Sequence, residues 1–394
     1  MKSKALATTP AKIGPALAVI GAVSVFTVTL GINYPYLTVL LKARGFSTSF
    51  VGLNAAMIPI GLVVGSLLTP RIALVTGPYV LSLCSITASF ATLAALYAWY
   101  AVADDAMLPF LLMPLCISLG IFINGLFVVG EAWINRLAPD AARGRILGVY
   151  TTALIAGYGV GPILLSLAAG DALVIQATSL GLLVAAALPL LAFRSTISGL
   201  TFAPEPGSDG GARDMLRFAL MAPYLVLCFA SIAFFDNVAM SMKPIFGSAR
   251  GLEVAEASRV LGAIIIGGAC FQPLIGALAD RFPNRRVVLV FSIATVLLSV
   301  PMARIESATL LTVLAFVWGG VAFATYTMAL KELGDRYTGA PLLTGSAVLA
   351  LTWGLTTIVG LPLTGLLLDG TSPLYLPMIL VVLYVPLILA SLRR

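Results

Sequence analysis

No histidine occurs in the 394 residues, and only 10% of them are charged. The first absence excludes a histidine proton relay and any histidine-ligated zinc or haem site. Proton chemistry in such a chain falls mainly on carboxylates. The second absence excludes an ordinary soluble domain, which is about 25% charged. Cysteine is scarce as well: Cys84, Cys116, Cys228 and Cys270 all lie in apolar runs, without paired metal spacing. They read as small buried hydrophobes and say little about redox compartment. The phosphate cradle G-x-x-x-x-G-K-[ST] is missing, so nothing supports direct drive by ATP. No cofactor and no resident metal is expected.

What is present is apolar. A hydrophobic fraction of 60% and a mean hydropathy of +1.06 describe a polytopic membrane protein. The net charge of +7 could suggest a nucleic-acid partner. The basic residues, however, sit in loops between apolar runs, where positive-inside topology accounts for them. The expected surroundings are the lipid bilayer, with no nucleic acid.

A helix needs about 20 apolar residues to cross a bilayer. Twelve runs qualify, at 14–41, 48–69, 78–101, 108–132, 146–169, 173–193, 217–246, 257–279, 287–303, 307–331, 342–368 and 373–391. The opening MKSKALATTPAK precedes a run too long for a signal-peptide core and reads as a cytoplasmic tail. With that tail inside, 17 of the 23 Lys and Arg fall on the cytoplasmic side and 6 outside. Both termini are therefore expected in the cytoplasm, with the chain in the inner (plasma) membrane. The longest polar stretch, around APEPGSDGGARD, divides the runs six and six. It predicts an N-terminal bundle over 1–193, a linker over 194–216 and a C-terminal bundle over 217–394.

The two sets repeat one another. At an offset of 200, Gly120 meets Gly320, Arg136 meets Arg336, Pro162 meets Pro362 and Gly170 meets Gly370. Ala43-Arg44-Gly45 recurs as Ala249-Arg250-Gly251 at an offset of 206. Constant offsets with matching hydropathy indicate a duplicated membrane domain.

Two homologous sets of six helices, with both termini inside, resemble a major facilitator superfamily transporter. One loop makes the resemblance specific. Gly276-Ala-Leu278-Ala-Asp280-Arg281-Phe-Pro-Asn-Arg285-Arg286 is similar to the family's cytoplasmic signature G-x-L-a-D-r-x-G-r-r, with Pro-Asn in the glycine region. The resemblance implies a charge-relay latch between helix ends, formed by Asp280, Arg281 and Arg285, that breaks when the cytoplasmic side opens. The counterpart Gly65-Ser-Leu67-Leu-Thr69-Pro70-Arg71 has Thr at the Asp position. Gly157-x-x-x-Gly161-Pro162 looks like the antiporter motif of drug–proton exchangers, although small residues four apart also let helices pack closely. The arginine usual in the fourth helix of such exporters is missing between Ile117 and Val129. The stretch from Glu131 to Arg145 (E-x-W-x-N-x-x-x-P-x-x-x-R-G-R) is similar to a narrower bacterial branch. That branch groups YcaD-like transporters with copper importers and riboflavin transporters.

Of the sixteen acids, fourteen fall in loops or at helix ends, leaving Asp236 in the seventh run and Glu131 at the inner end of the fourth. A charge at a helix centre costs roughly 2.5–3.5 kcal/mol on insertion scales, so such residues usually face a cavity and act in transport. Asp236, Met240 and Lys243 share one stripe of a helix. Asp236 and Lys243 are about 10 Å apart along its axis, a gap that a polar solute or water bridges better than a direct bond. Beside the basic loop, Glu131 is expected to form a gate salt bridge with Arg143 or Arg145. The intramembrane amides Asn33, Asn124 and Asn237 either bind substrate or bond helix to helix. The aromatics Tyr34, Tyr36, Tyr158, Trp318, Tyr326 and Trp353 either stack on a flat ligand or pack the core.

The resulting expectation is an all-α membrane protein of twelve transmembrane helices in two pseudo-symmetric six-helix bundles. It works as a monomeric secondary transporter of a small organic solute, with proton coupling through Asp236. A Cu(I) importer on the same fold is the alternative, since Cys228, Met240, Met242 and Cys270 supply soft ligands. Met240 and Met242 point to different helix faces, however, and the Met/His pairs of copper importers are not reproduced. A membrane enzyme or sensor is the alternative from another class; no nucleophile–base pair stands out to support it.

Overall fold

A chain this apolar, placed in a bilayer, must satisfy its backbone hydrogen bonds internally, and helices do so within each segment. The computed structural model describes residues 13–168, 170–203, 210–249, 251–369 and 372–393, and among them there is no strand. The first six spans are α1 (Ile13–Ala43), α2 (Thr48–Thr76), α3 (Pro78–Val102), α4 (Leu108–Leu137), α5 (Arg143–Leu167) and α6 (Ala172–Ala192). The next are α7 (Pro223–Ala249), α8 (Val254–Arg281), α9 (Asn284–Arg304), α10 (Ala308–Arg336, interrupted at Phe323) and α11 (Gly339–Asp369). The last, α12, is broken into Leu376–Leu380 and Tyr384–Leu392.

Two spans differ from the pattern read off hydropathy. The seventh begins at Pro223, not 217, because the chain turns at Ala222-Pro223. Proline has no amide hydrogen with which to continue the preceding helix. The residues before it, Ala212–Met221, form a separate amphipathic helix bent by 95° from α7. Among the described residues ten helical spans are long and apolar enough to cross a bilayer, and the bent pair supplies an eleventh. The twelfth is short and interrupted between Leu380 and Tyr384. The N-terminal tail and residues 204–209 of the proposed linker lie outside the described residues.

Packing reproduces the repeat. In the first set α1 packs on α5, α2 on α4 and α3 on α6; in the second α7 packs on α11, α8 on α10 and α9 on α12. The α2–α4 crossing is so close that a Cβ on Gly61 would meet the Ile117 carbonyl, and one on Gly120 the Ile58 carbonyl. The α8–α10 crossing repeats this with Gly267 against the Phe316 carbonyl and Gly319 against that of Ile264. Small residues are what permit such approach between membrane helices. Between the sets, α5 lies on α8 and α2 on α11, while no comparable contact joins α1 to α7 among the described residues. Large apolar side chains such as Leu173, Val184 and Leu366 remain exposed around the outside, as a lipid-facing surface requires.

Candidate functional site

The bonds between the two sets begin at one end, where α5 starts. Its N-cap is Ala142, which has no side-chain oxygen to offer the first turn. Asp280, at the end of α8, supplies one from the other set. Its carboxylate accepts from the backbone N–H of Gly144 at 2.7 Å and of Arg145 at 3.2 Å, and from Arg145 Nε at 3.2 Å. A carboxylate at a helix N-terminus satisfies otherwise free donors and meets the positive end of the helix dipole. The approach depends on Gly144 and Gly276, since a Cβ on either would meet the other's carbonyl. A second cross-link lies beside the first. Arg143 Nη1 is 2.5 Å from Asp335 on α10, while its Nη2 holds Asp140 at 2.7 Å. Lys331 also reaches Asp335, at 2.6 Å.

Deeper in, polar residues line the seam between the sets. Glu131 on α4 is buried, and its Oε1 accepts a hydrogen bond from the Tyr326 hydroxyl of α10 at 2.7 Å. The expected salt bridge to Arg143 or Arg145 is not formed, because both arginines are taken by aspartates nearer the helix ends. Tyr326 packs against Phe229 and Trp353, with centroids 5.0 and 6.1 Å away. The buried Tyr150 hydroxyl on α5 has no hydrogen-bond partner among the described residues, and it lies within electrostatic range of Glu131 and Tyr158. Tyr158 stands in the same relation to Tyr34 and Asp236. Asp236, Tyr34, Tyr158 and Trp353 are each partly accessible. Thr327 on α10 donates its hydroxyl to Gln272 Oε1 of α8 at 2.5 Å, and its oxygen lies 3.0 Å from the Thr151 hydroxyl of α5.

Other residues singled out by the sequence lie elsewhere. Asn33 is buried between α1, α3 and α6, donating to the Thr29 carbonyl and Ser179 and accepting from Tyr97. Asn124 bonds α4 to α2 through Leu62, Ser66 and Thr69, the last being the residue at the degenerate Asp position. Both amides are spent on helix packing. Trp318 is fully buried within the second set, edge-on to Phe235 at 4.7 Å, with Nε1 donating to the Thr295 carbonyl at 2.8 Å. It faces an apolar crevice there, also lined by Ile264 and Leu380, not the seam. Gly157 and Gly161 pack against α1. Asn237 donates to the Ala233 carbonyl of its own helix. Tyr36 holds Gln176 at 3.4 Å. Arg281 is exposed, and Arg285 donates to the Arg393 carbonyl at 2.7 Å while lying over the Tyr224 ring. The side chains of Met240, Met242 and Lys243 lie outside the described residues.

Sequence reasoning passed over Asp335, Phe229, Tyr150 and Gln272. The signal for Asp335 was in the repeat: it stands 200 positions after Asn135, and Lys331 stands 200 after Glu131. Phe229, Tyr150 and Gln272 carry no such mark.

Comparison with known proteins places the whole arrangement. The model of the Major Facilitator Superfamily matches residues 17–330 and 224–394. The uncharacterized MFS-type transporter YfkF of Bacillus subtilis is 23% identical over 87% of this chain and 85% of its own. The uncharacterized MFS-type transporter YcaD of Salmonella dublin is 24% identical over 64% of each chain. Among solved structures, the human organic anion transporter MFSD10 superposes with a TM-score of 0.77 at 15% identity, covering 97% of this chain and 100% of that one. The transporter FucP in its outward conformation superposes with a TM-score of 0.70 at 14% identity, covering 96% of this chain and 98% of that one. With the duplicated six-helix plan and a family model matched from one set into the other, the chain belongs to the major facilitator superfamily of membrane transporters.

Proposed function

We propose that this protein is a secondary active transporter that moves a small organic solute across the inner (plasma) membrane by alternating access. Residues 1–193 and 217–394 rock as two bodies joined by the linker 194–216, about a site where Glu131, Tyr158, Asp236, Tyr326 and Trp353 meet. The observation that carries this reading is the asymmetry of the seam. Asp280 on the start of α5 and Arg143 on Asp335 tie the bodies at one end, while among the described residues α1 and α7 make no comparable contact. The ties are polar contacts that exchange for water at modest cost, as a gate requires.

Arg136, Arg143, Arg145, Arg281, Arg285, Arg286, Lys331 and Arg336 gather at the tied end. The positive-inside rule makes that end cytoplasmic, with both termini there, so the conformation is outward-facing. Proton coupling falls to Asp236, a carboxylate within a span that no protein donor reaches among the described residues. A single copy contains the whole seam, so the unit of function is a monomer. The Cu(I) alternative rests on Met240 and Met242, whose side chains lie outside the described residues.

Two experiments test this. Joining Gly148→Cys to Gln272→Cys, whose backbones touch, should abolish uptake reversibly; undiminished uptake by the cross-linked protein sinks alternating access. Asp236→Asn should flatten the pH profile of transport, and an unchanged profile removes Asp236 as the coupling site.

A further inference from the structure

The walls around Glu131 narrow the chemistry of the solute. Phe229 on α7, Tyr326 on α10 and Trp353 on α11 form one aromatic surface, their centroids 5.0, 6.0 and 6.1 Å apart. At its edge the Tyr326 hydroxyl meets the Glu131 carboxylate of the other body at 2.7 Å. The Tyr150 hydroxyl, buried and without a hydrogen-bond partner among the described residues, lies within electrostatic range of Glu131, and Tyr158 within that of Asp236. Two carboxylates thus lie along the seam. The nearest basic side chains are committed elsewhere: Lys331 to Asp335, Arg143 to Asp335 and Asp140, and Arg145 to Asp280. Lys243 follows Asp236 by about 10 Å along α7, and its side chain lies outside the described residues.

A carboxylate held from water gains most from a partner of opposite charge, and aromatic faces attract cations more strongly once both are desolvated. An anionic solute would meet Glu131 and Asp236 with no free counter-charge among the described residues. We propose that the site takes an organic cation, a positive group carried on an apolar, aromatic body. Glu131 is its counter-charge, and Phe229, Tyr326 and Trp353 are the π surface beneath it. The cation takes the place of the Tyr326 hydroxyl on Glu131. Binding therefore exchanges a bond between the bodies for one to the solute, and in this way loosens the seam. The assignment rests on the transporter reading and specifies the substrate class of the same site.

The test uses the full-length protein in lipid nanodiscs and equilibrium binding of radiolabelled tetraphenylphosphonium, against tetraphenylborate, an anion of nearly the same shape. Wild-type protein should bind the cation saturably and the anion not at all. Glu131→Gln should weaken cation binding by about tenfold or more, and Trp353→Ala by about 2- to 30-fold. Tyr326→Phe should leave cation binding unchanged or tighter, since its hydroxyl no longer competes for Glu131; a merely structural role for Tyr326 predicts weaker binding. Equal saturable binding of both ions, or cation binding indifferent to Glu131→Gln, overturns the assignment. If Glu131→Gln cannot be purified, weaker binding in Tyr326→Phe overturns it instead. Wild-type protein that binds neither ion also overturns it, and that result leaves the cross-linking outcome for alternating access standing on its own.

Discussion

Asp280, near the last residue of α8, caps the N-terminus of α5 by accepting from Gly144 N–H at 2.7 Å, so a helix of one body is completed by a side chain of the other. Opening this end must therefore uncap α5. The Arg145 side chain, largely exposed, adds a screened contact to the same carboxylate and contributes less.

Asp280→Asn keeps an acceptor but loses the charge that opposes the dipole. A loss of about 0.3–1 kcal/mol is expected, and Asp280→Ala should cost about 0.5–2 kcal/mol, as cap deletions do. Hydrogen exchange over the first turn of α5 measures this. Exchange at Gly144 and Arg145 should quicken in both variants, more in the alanine, and unchanged exchange would contradict the capping role.

Gly144→Val should act more severely, because the new side chain meets the Gly276 carbonyl and the Asp280 carboxylate together. The tied conformation cannot then form, and uptake should fall to background while the protein still folds. Arg143→Ala, which removes the ion pairs to Asp335 and Asp140, should retain uptake with a smaller population of the tied conformation. Uptake assays with both variants at matched expression separate the two effects.

Removing the Tyr326 hydroxyl leaves the buried Glu131 carboxylate without its donor. Tyr326→Phe should lower stability by about 1–3 kcal/mol. Thermal unfolding in detergent should show a clear drop in Tm, and the double variant with Glu131→Gln should recover part of it. Additive losses in that pair would mean that the two side chains do not interact.

Asn33→Ala removes three hydrogen-bond partners that link α1, α3 and α6. A stability loss of about 1–3 kcal/mol is expected, with KM unchanged because the amide faces helices, not the seam. A large KM change at unaltered Tm would return Asn33 to the substrate site.

Most of the spans, the duplication and the Gly276–Arg286 motif are legible in the sequence alone, because each is written locally. Hydropathy over a helix length marks a crossing whatever surrounds it. Constant offsets carry the repeat, and the structure extends it to helix crossings, where Gly61 and Gly120 act as Gly267 and Gly319 do. Asp280 was legible for the same reason, as part of a short contiguous pattern. The tertiary structure decided the rest. Whether an intramembrane amide or aromatic faces the seam depends on the rotation of its helix and on what packs beside it. Asn33, Asn124 and Trp318 turned inward to their own body, while Glu131 met Tyr326, a partner 195 residues away. The aromatic surface of Phe229, Tyr326 and Trp353 draws one side chain from each of three helices, and no window of sequence contains it. Even the start of α7 needed the bend at Pro223, since hydropathy sums over a window and does not register a 95° turn within it.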